Sequence, residues 1–228
     1  MQVLELNKKA RDLFNETKAV IFDMDGVMVY NTPYHQRALK EFCEIKGKPL
    51  TDEEMEDKIY GRTNREWLLN LFDSSLSDEL VDEYAHEKEL MYRNIYRDDI
   101  QAAPGLIAFL ELLDMKNLPR AIATSAPPVN VDFTLDSINA KSFFEVIIND
   151  TMVKHSKPHP EIYLKAIEVL GLKPEECLVF EDSKSGIKAG LDSGAKVIAI
   201  ESSMPPQQTL DLGAHASISD FSIFLQAS

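Results

Sequence analysis

The amino-acid sequence predicts an α/β fold: a parallel sheet with helices on both faces, interrupted after its first strand by an inserted helical bundle. Three observations lead there. An early apolar run, "AVIF" at Ala19–Phe22, has strand length and is followed by a turn-permitting Gly26. Between residues 33 and 101 the apolar positions recur only at helical spacing. Beyond Pro104 and Gly105, short β-branched runs alternate with amphipathic segments, as strand–helix units of a parallel sheet require.

Taken in order, residues 1–16 form an N-terminal extension, 17–32 and 102–228 the α/β core, and 33–101 the helical insertion. Within the insertion, Ala38, Phe42 and Ile45, and then Leu80, Tyr84, Lys88, Met91 and Ile95, mark helix faces. Helix starts agree. "TDEE" at Thr51–Glu54 is a capping box, and Ser77 before "DELVDEY" is an N-cap with acids in the first turn. The core then reads helix, strand, helix, strand through "LIAFLELL", "RAIATS", "VDFTLDSI", "FEVIIN", "EIYLKAIEVLG", "CLVFED", "SGIKAGLDSG" and "KVIAIE". Pro160 suits the first helical position and Gly171 the position just past the end of "EIYLKAIEVL".

Bulk properties bound the function. With 228 residues, 44% hydrophobic and 27% charged, the chain has ordinary globular usage and room for one domain carrying a smaller one. A net charge of −14 argues against nucleic acid or an anionic membrane as partner, so an anionic substrate must be met by local cations. Two distant cysteines, Cys43 and Cys177, fit a reducing compartment. The N-terminus lacks a signal-peptide core, and no apolar run approaches the ~20 residues of a membrane span. A cytoplasmic protein is expected.

In open α/β sheets ligands bind outside the carboxyl ends of the strands. Four predicted ends carry chemistry: "FDMDG" with Asp23 and Asp25, "IATSA" with Thr124 and Ser125, "SKPHP" with Lys157, and "VFEDS" with Glu181 and Asp182. Asp23 and Asp25 share a face if the chain stays extended, and two such acids repel unless a cation intervenes. With Glu181 and Asp182 they make a hard oxygen set that suits Mg²⁺ better than Zn²⁺. A metal plus Lys157 favours a phosphoryl group, whose transfer depends on positioning and charge neutralisation. Plainer roles exist for the same residues: a solvated turn for Asp23 and Asp25, an N-cap for Asp182, a loop charge for Lys157 and a strand former in Thr124. His86, His155, His159 and His215 share no spacing and read as surface or satisfied side chains.

In this order, "DMDGV", the "TS" after a strand, "SKPHPEIY" and "FEDSKSGIKAG" resemble the four motifs of the haloacid dehalogenase superfamily, over nearly the whole chain from Lys18 onward. The insertion resembles the cap of its phosphatase and β-phosphoglucomutase branch. That resemblance implies a Rossmann-like core with a C1-type helical cap. It also implies that Asp23 is the nucleophile and that Asp25 exchanges protons with the leaving group and the attacking water or hydroxyl. Thr124 and the Ser125 backbone N–H would meet the transferring phosphoryl, and Lys157 would balance charge. Mg²⁺ would be held by Asp23, the Asp25 carbonyl, Asp182 and, directly or through water, Glu181. In the cap, His35 resembles a histidine that positions the acid/base, Lys88 aligns with a substrate-facing lysine, and Arg62 in "YGRTNRE" falls at or beside the specificity loop.

Three departures stand out. Tyr30 occupies a position where relatives often have Asp, and Pro127 and Pro128 follow "TSA" where a mutase offers polar side chains. The mutase's cap arginine aligns nearer Asn64 or Arg65 than Arg62. The expected activity is therefore Mg²⁺-dependent hydrolysis of a small phosphorylated metabolite, a sugar phosphate, by a monomer whose cap moves to admit substrate. β-Phosphoglucomutase is the alternative favoured by His35, Lys88 and the cap type. Inorganic pyrophosphatase is favoured by "GRT", although Tyr60 precedes Gly61 where an acid is expected. A non-catalytic Mg²⁺ or phosphate-binding regulator is the remaining alternative.

Overall fold

The computed structural model describes residues 2–59 and 64–225, and these divide into two compact units, 1–30 with 100–228 and 31–99. The first unit is built on a six-stranded, all-parallel sheet in the order β3-β2-β1-β4-β5-β6. Its strands are β1 (Ala19–Phe22), β2 (Arg120–Ala123), β3 (Val146–Ile148), β4 (Cys177–Glu181), β5 (Lys196–Ile200) and β6 (Ala216–Ile218). The chain runs outward from β1 to β3 and then returns to add β4 on the other side of β1. The order thus reverses between β1 and β4, and a crevice opens at such a reversal beyond the carboxyl ends of the strands.

β1 is fully buried because both faces are covered. Alternation sends Ala19 and Ile21 to one side, where they pack with Ile162, Tyr163 and Ile167 of α8 (Glu161–Leu170) and Ile187 of α9 (Lys184–Asp192). Phe22 goes to the other side, into an aromatic layer. Its ring stacks on Phe180 at 5.5 Å and lies 6.2 Å from Phe109 of α6 (Leu106–Met115) and 5.9 Å from Phe221.

Residues 2–16, read from the sequence only as an extension, form α1 (Gln2–Glu16). This helix buries Ala10 and Phe14, and the Phe14 ring lies 5.2 Å from both Phe109 and Phe224. The segment is therefore part of the aromatic layer. β6 also went unread in the sequence, since "ASI" is too short to show a period.

Local signals did set many ends. Gly171 closes α8 at φ +69°, while Pro160 sits one position earlier than expected, as the N-cap. Pro127 and Pro128 start α7 (Pro128–Ser137), with Pro128 in its first turn where the missing N–H costs nothing.

The second unit contains α2 (Thr32–Ile45), α3 (Asp52–Lys58), α4 (Asn64–Leu71) and α5 (Asp78–Tyr96). Thr51 and Glu54 close the capping box, and Ser77 accepts from Leu80 N–H at 3.3 Å. Its core gathers Leu39, Phe42, Cys43, Met55, Ile59, Trp67, Leu68 and Val81. Here the sequence reading needs correction in register. Ile45 is 66% exposed, and the most buried face of α5 runs through Val81, Lys88, Tyr92 and Tyr96, not Leu80, Tyr84, Met91 and Ile95. α5 buries charged and phenolic side chains through hydrogen bonds, a pattern that apolar periodicity alone does not reveal.

Among the described residues no helix is long and apolar enough to cross a membrane. If α1 is part of the core, Phe14→Ala should cost about 3–5 kcal/mol, as for other buried aromatics. Urea unfolding checks this, and an unchanged midpoint would mean the helix is dispensable.

Candidate active site

The β1–β4 ladder continues one step past β1, where Asp23 N–H donates to Phe180 O at 3.0 Å. With Phe22 paired to Phe180, this step sets Asp23 beside Glu181 and Asp182. Carboxylate oxygens from Asp23, Glu181 and Asp182 lie within 4.8 Å of one another, and all three residues are buried. The chain then turns sharply, with Gly26 N–H donating to Val29 O at 2.8 Å, and half-buried Asp25 lies in this turn.

Lys157 makes the cluster tolerable. Its ammonium donates to Asp23 Oδ1 and to Glu181 Oε1, both at 2.7 Å, and to the Ala123 carbonyl at 3.3 Å. One buried cation thereby ties together the ends of β1, β2 and β4. The ring of Tyr163 lies 4.8 Å from the ammonium, and its hydroxyl donates to the same Glu181 oxygen at 3.0 Å. Glu181 Oε2 accepts from the backbone N–H groups of Asp182 and Ser183 at 2.7 and 2.8 Å and from Ser183 Oγ at 3.1 Å.

The charge balance appears in the acidities. Burial pushes Asp23 well above the usual carboxylate range; Lys157 opposes this, and the charges of Glu181, Asp182 and Asp25 reinforce it. Burial also acts upward on Glu181, but the Lys157 charge and the converging donors outweigh it and hold the group below its ordinary value. Asp182 is pushed up to about 7 by burial and by Glu181, against donors Ser203 and Ser202. Three carboxylates thus face one ammonium, and Asp182 carries the uncompensated charge. Hard oxygen donors with surplus negative charge fit a hard divalent cation.

Space around the acids is tight. Gly26 sits at φ +79°, and a Cβ there would run into the Asp182 carboxylate; a Cβ on Gly186 would run into that of Glu181. The N-cap of α9 is Ser183, which accepts from Gly186 N–H at 3.0 Å, so the capping role open to Asp182 falls to its neighbour. Thr124 follows β2, is 1% exposed, and its Oγ1 accepts from Ala126 N–H at 3.1 Å; Ser125 beside it is exposed. The sequence reading passed over Tyr163, although "SKPHPEIY" contains it. It also passed over Ser202 and Ser203, which follow Glu201 beyond β5.

The other expected site residues belong to the helical unit. His35 stacks on Tyr92 at 3.7 Å with the rings 7° from parallel, and Asn31 Nδ2 donates to the Tyr92 hydroxyl at 2.7 Å. Buried Lys88 donates to Glu89, which also accepts from Asn64 Nδ2 at 3.1 Å. Arg62 lies outside the described residues. Tyr30, in the first unit, donates to the Ser219 carbonyl at 2.9 Å, and burial with nearby acids pushes its pKa up to about 12. It is therefore a neutral strut, not an acid.

Removing the cation leaves Asp23 and Glu181 buried without their partner. Lys157→Ala should lower stability at neutral pH by about 3–5 kcal/mol, the cost of breaking a buried pair from one side. Chemical denaturation in metal-free buffer measures it, and a loss below about 1 kcal/mol would place the pair among screened surface bridges.

Residues 17–194 match the family model for haloacid dehalogenase-like hydrolases. A phosphorylated carbohydrates phosphatase of Thermotoga maritima is 32% identical over 203 residues, covering 88% of this chain and 94% of that one. Hexitol phosphatase A of Escherichia coli is 30% identical over 203 residues, covering 87% and 91%. A crystal structure of a family IA, variant 3 hydrolase from Entamoeba histolytica superposes with a TM-score of 0.82 at 35% identity, covering 90% of this chain and 94% of that one. The fold, the order of the strand-end motifs and these likenesses agree: the chain is a haloacid dehalogenase-like hydrolase.

Proposed function

We propose that the protein is a Mg²⁺-dependent phosphatase that works through an aspartyl-phosphate on a small phosphorylated carbohydrate. The observation that carries this reading is the Lys157 ammonium held between Asp23 and Glu181 at 2.7 Å each, with Asp182 in the same buried cluster. Lys157 already opposes the burial that raises the Asp23 pKa, and a divalent cation added to this set would favour the ionised nucleophile and a dianionic phosphoryl group. The named activities of the Thermotoga and Escherichia relatives support a sugar or sugar-alcohol phosphate as substrate.

Asp23 is the nucleophile in this reading: one of its oxygens attacks phosphorus as the bond to the leaving alkoxide breaks. Asp25 gives that oxygen its proton, so the sugar departs as a neutral alcohol. A water then attacks the phosphorus and loses a proton to Asp25, the acyl-phosphate P–O bond breaks, and Asp23 returns as a carboxylate with free phosphate released. Thr124 has its oxygen occupied by Ala126 N–H, which leaves its proton to donate to a phosphoryl oxygen. Ser125 offers its backbone N–H to the same group. Lys157 holds Asp23 in line and neutralises charge during transfer.

Asp23, Asp182 and the Asp25 carbonyl would hold Mg²⁺. Bound there, the ion supplies charge neutralisation for the nucleophile and the phosphoryl group. Glu181 already accepts five hydrogen bonds, so its contribution is best read as fixing Lys157 and reaching the ion through water. His35, Lys88 and Arg62 are proposed as substrate contacts from the helical unit, and they set which carbohydrate is preferred.

Asp23→Asn should reduce turnover by about 10³-fold or more while leaving the fold intact, the usual consequence of losing a nucleophile. Phosphate release from sugar phosphates, sugar-alcohol phosphates, nucleotides and pyrophosphate is the assay. Intact turnover in Asp23→Asn would sink the reading. Faster glucose 6-phosphate than phosphate production from β-glucose 1-phosphate with catalytic glucose 1,6-bisphosphate would convert it to a mutase.

A further inference from the structure

Two serines that belong to none of the four motifs lie against the acidic cluster. They follow β5 in the loop "ESSM", at the same carboxyl edge of the sheet as Asp23 and Asp182. Ser203 Oγ donates to Asp182 Oδ2. Ser202 Oγ lies 2.5 Å from the Gly26 carbonyl and 3.1 Å from Asp182 Oδ2. A hydroxyl has one proton, and the shorter distance gives it to Gly26, which makes Ser203 the principal donor to the carboxylate.

We propose that Ser203 is a positioning residue for the Mg²⁺ site, holding the Asp182 carboxylate in its metal-binding orientation, while Ser202 ties the turn that follows Asp25 to the same loop. This rests on the reading above, in which Asp182 helps to hold the ion. Asp182 follows β4 directly and is 4% exposed, and the donors Lys157, Tyr163 and the backbone N–H of Asp182 are all taken up by its neighbour Glu181. Without Ser203, little else in that set steers the Asp182 side chain.

The choice of donor matters. A lysine at this place would neutralise Asp182 and compete with a divalent ion. A serine hydroxyl orients the carboxylate and leaves its full charge for the metal. Partners of this outer kind typically govern metal affinity because they fix the ligand before the ion arrives. Ser202 adds a second restraint, since the Gly26 carbonyl lies in the turn that also contains the Asp25 carbonyl proposed as a ligand. Gly26 can sit this close to Asp182 because it has no Cβ. One loop therefore sets the spacing between the β1 and β4 contributions to the site.

The decisive comparison uses the full-length protein with Ser203→Thr, which keeps a hydroxyl, and Ser203→Val, which has the same shape without one. Calorimetric titration with Mg²⁺ alone, in the absence of substrate, should show Ser203→Thr within about threefold of the parent and Ser203→Val weaker by about 10–100-fold. In assays, the Mg²⁺ concentration for half-maximal activity should rise in Ser203→Val, while KM for the phosphorylated substrate at saturating Mg²⁺ stays unchanged. Thermal melts in chelator confirm that both variants fold. Equal Mg²⁺ affinity in the Thr and Val variants overturns the proposal and leaves the phosphatase reading standing. Failure of the parent protein to bind Mg²⁺ overturns both.

Discussion

Everything at the carboxyl edge of the sheet depends on one buried ammonium. Lys157 reaches Asp23 and Glu181 at equal distances and touches the last carbonyl of β2, so a single side chain joins three strand ends. Burying an ion pair brings little net stability, because desolvation consumes most of the Coulomb gain. What it provides here is arrangement. Glu181 is saturated and serves as the anchor, Asp23 shares the cation with it, and Asp182 makes no ion pair among the described residues.

The backbone supplies the precision for this arrangement. Parallel pairing of β1 with β4 puts Phe22 beside Phe180, and continuing that register by one residue aligns Asp23 with Glu181. The aromatic layer beneath makes the register costly to slip, since a shift of one residue would send Phe22 to the opposite face of the sheet. Where side chains crowd, glycine gives way: Gly26 and Gly186 occupy positions at which any Cβ would displace a carboxylate. Rigid strands, a packed aromatic face and absent methyl groups together hold acids of like charge close together.

Much of this was legible from residues in a row. "AVIF" became β1 with the boundaries read from its apolar run, the capping box at Thr51 and the cap at Ser77 formed, and Gly171 ended its helix in the left-handed conformation. These features are local, and short-range sterics and hydrogen bonding determine them. Features that depend on distant partners were harder. The N-terminal helix joins the core through distant partners, Phe14 meeting Phe109 and Phe224, and β6 through pairing with β5. The register of α5 shifted because Lys88, Glu89, Tyr92 and Arg93 are buried, a choice that hydrogen bonding permits and apolar counting cannot see.

The sequence by itself determined the kind of chemistry: acids and a threonine at strand ends and a lysine shortly before a helix, in an order that matches one hydrolase family. Their charge and placement after apolar runs needed no coordinates to notice. Tertiary structure decided how those groups share their interactions. It showed Glu181 fully engaged, Asp182 within hydrogen-bond reach of Ser203 and Ser202, and Tyr30 tied neutrally to Ser219. The physical reason is that the hydrogen bonds of a buried carboxylate depend on which side chains the fold brings within about 3 Å of it. Those neighbours come from segments up to 134 residues apart in the chain, as Lys157 and Asp23 are.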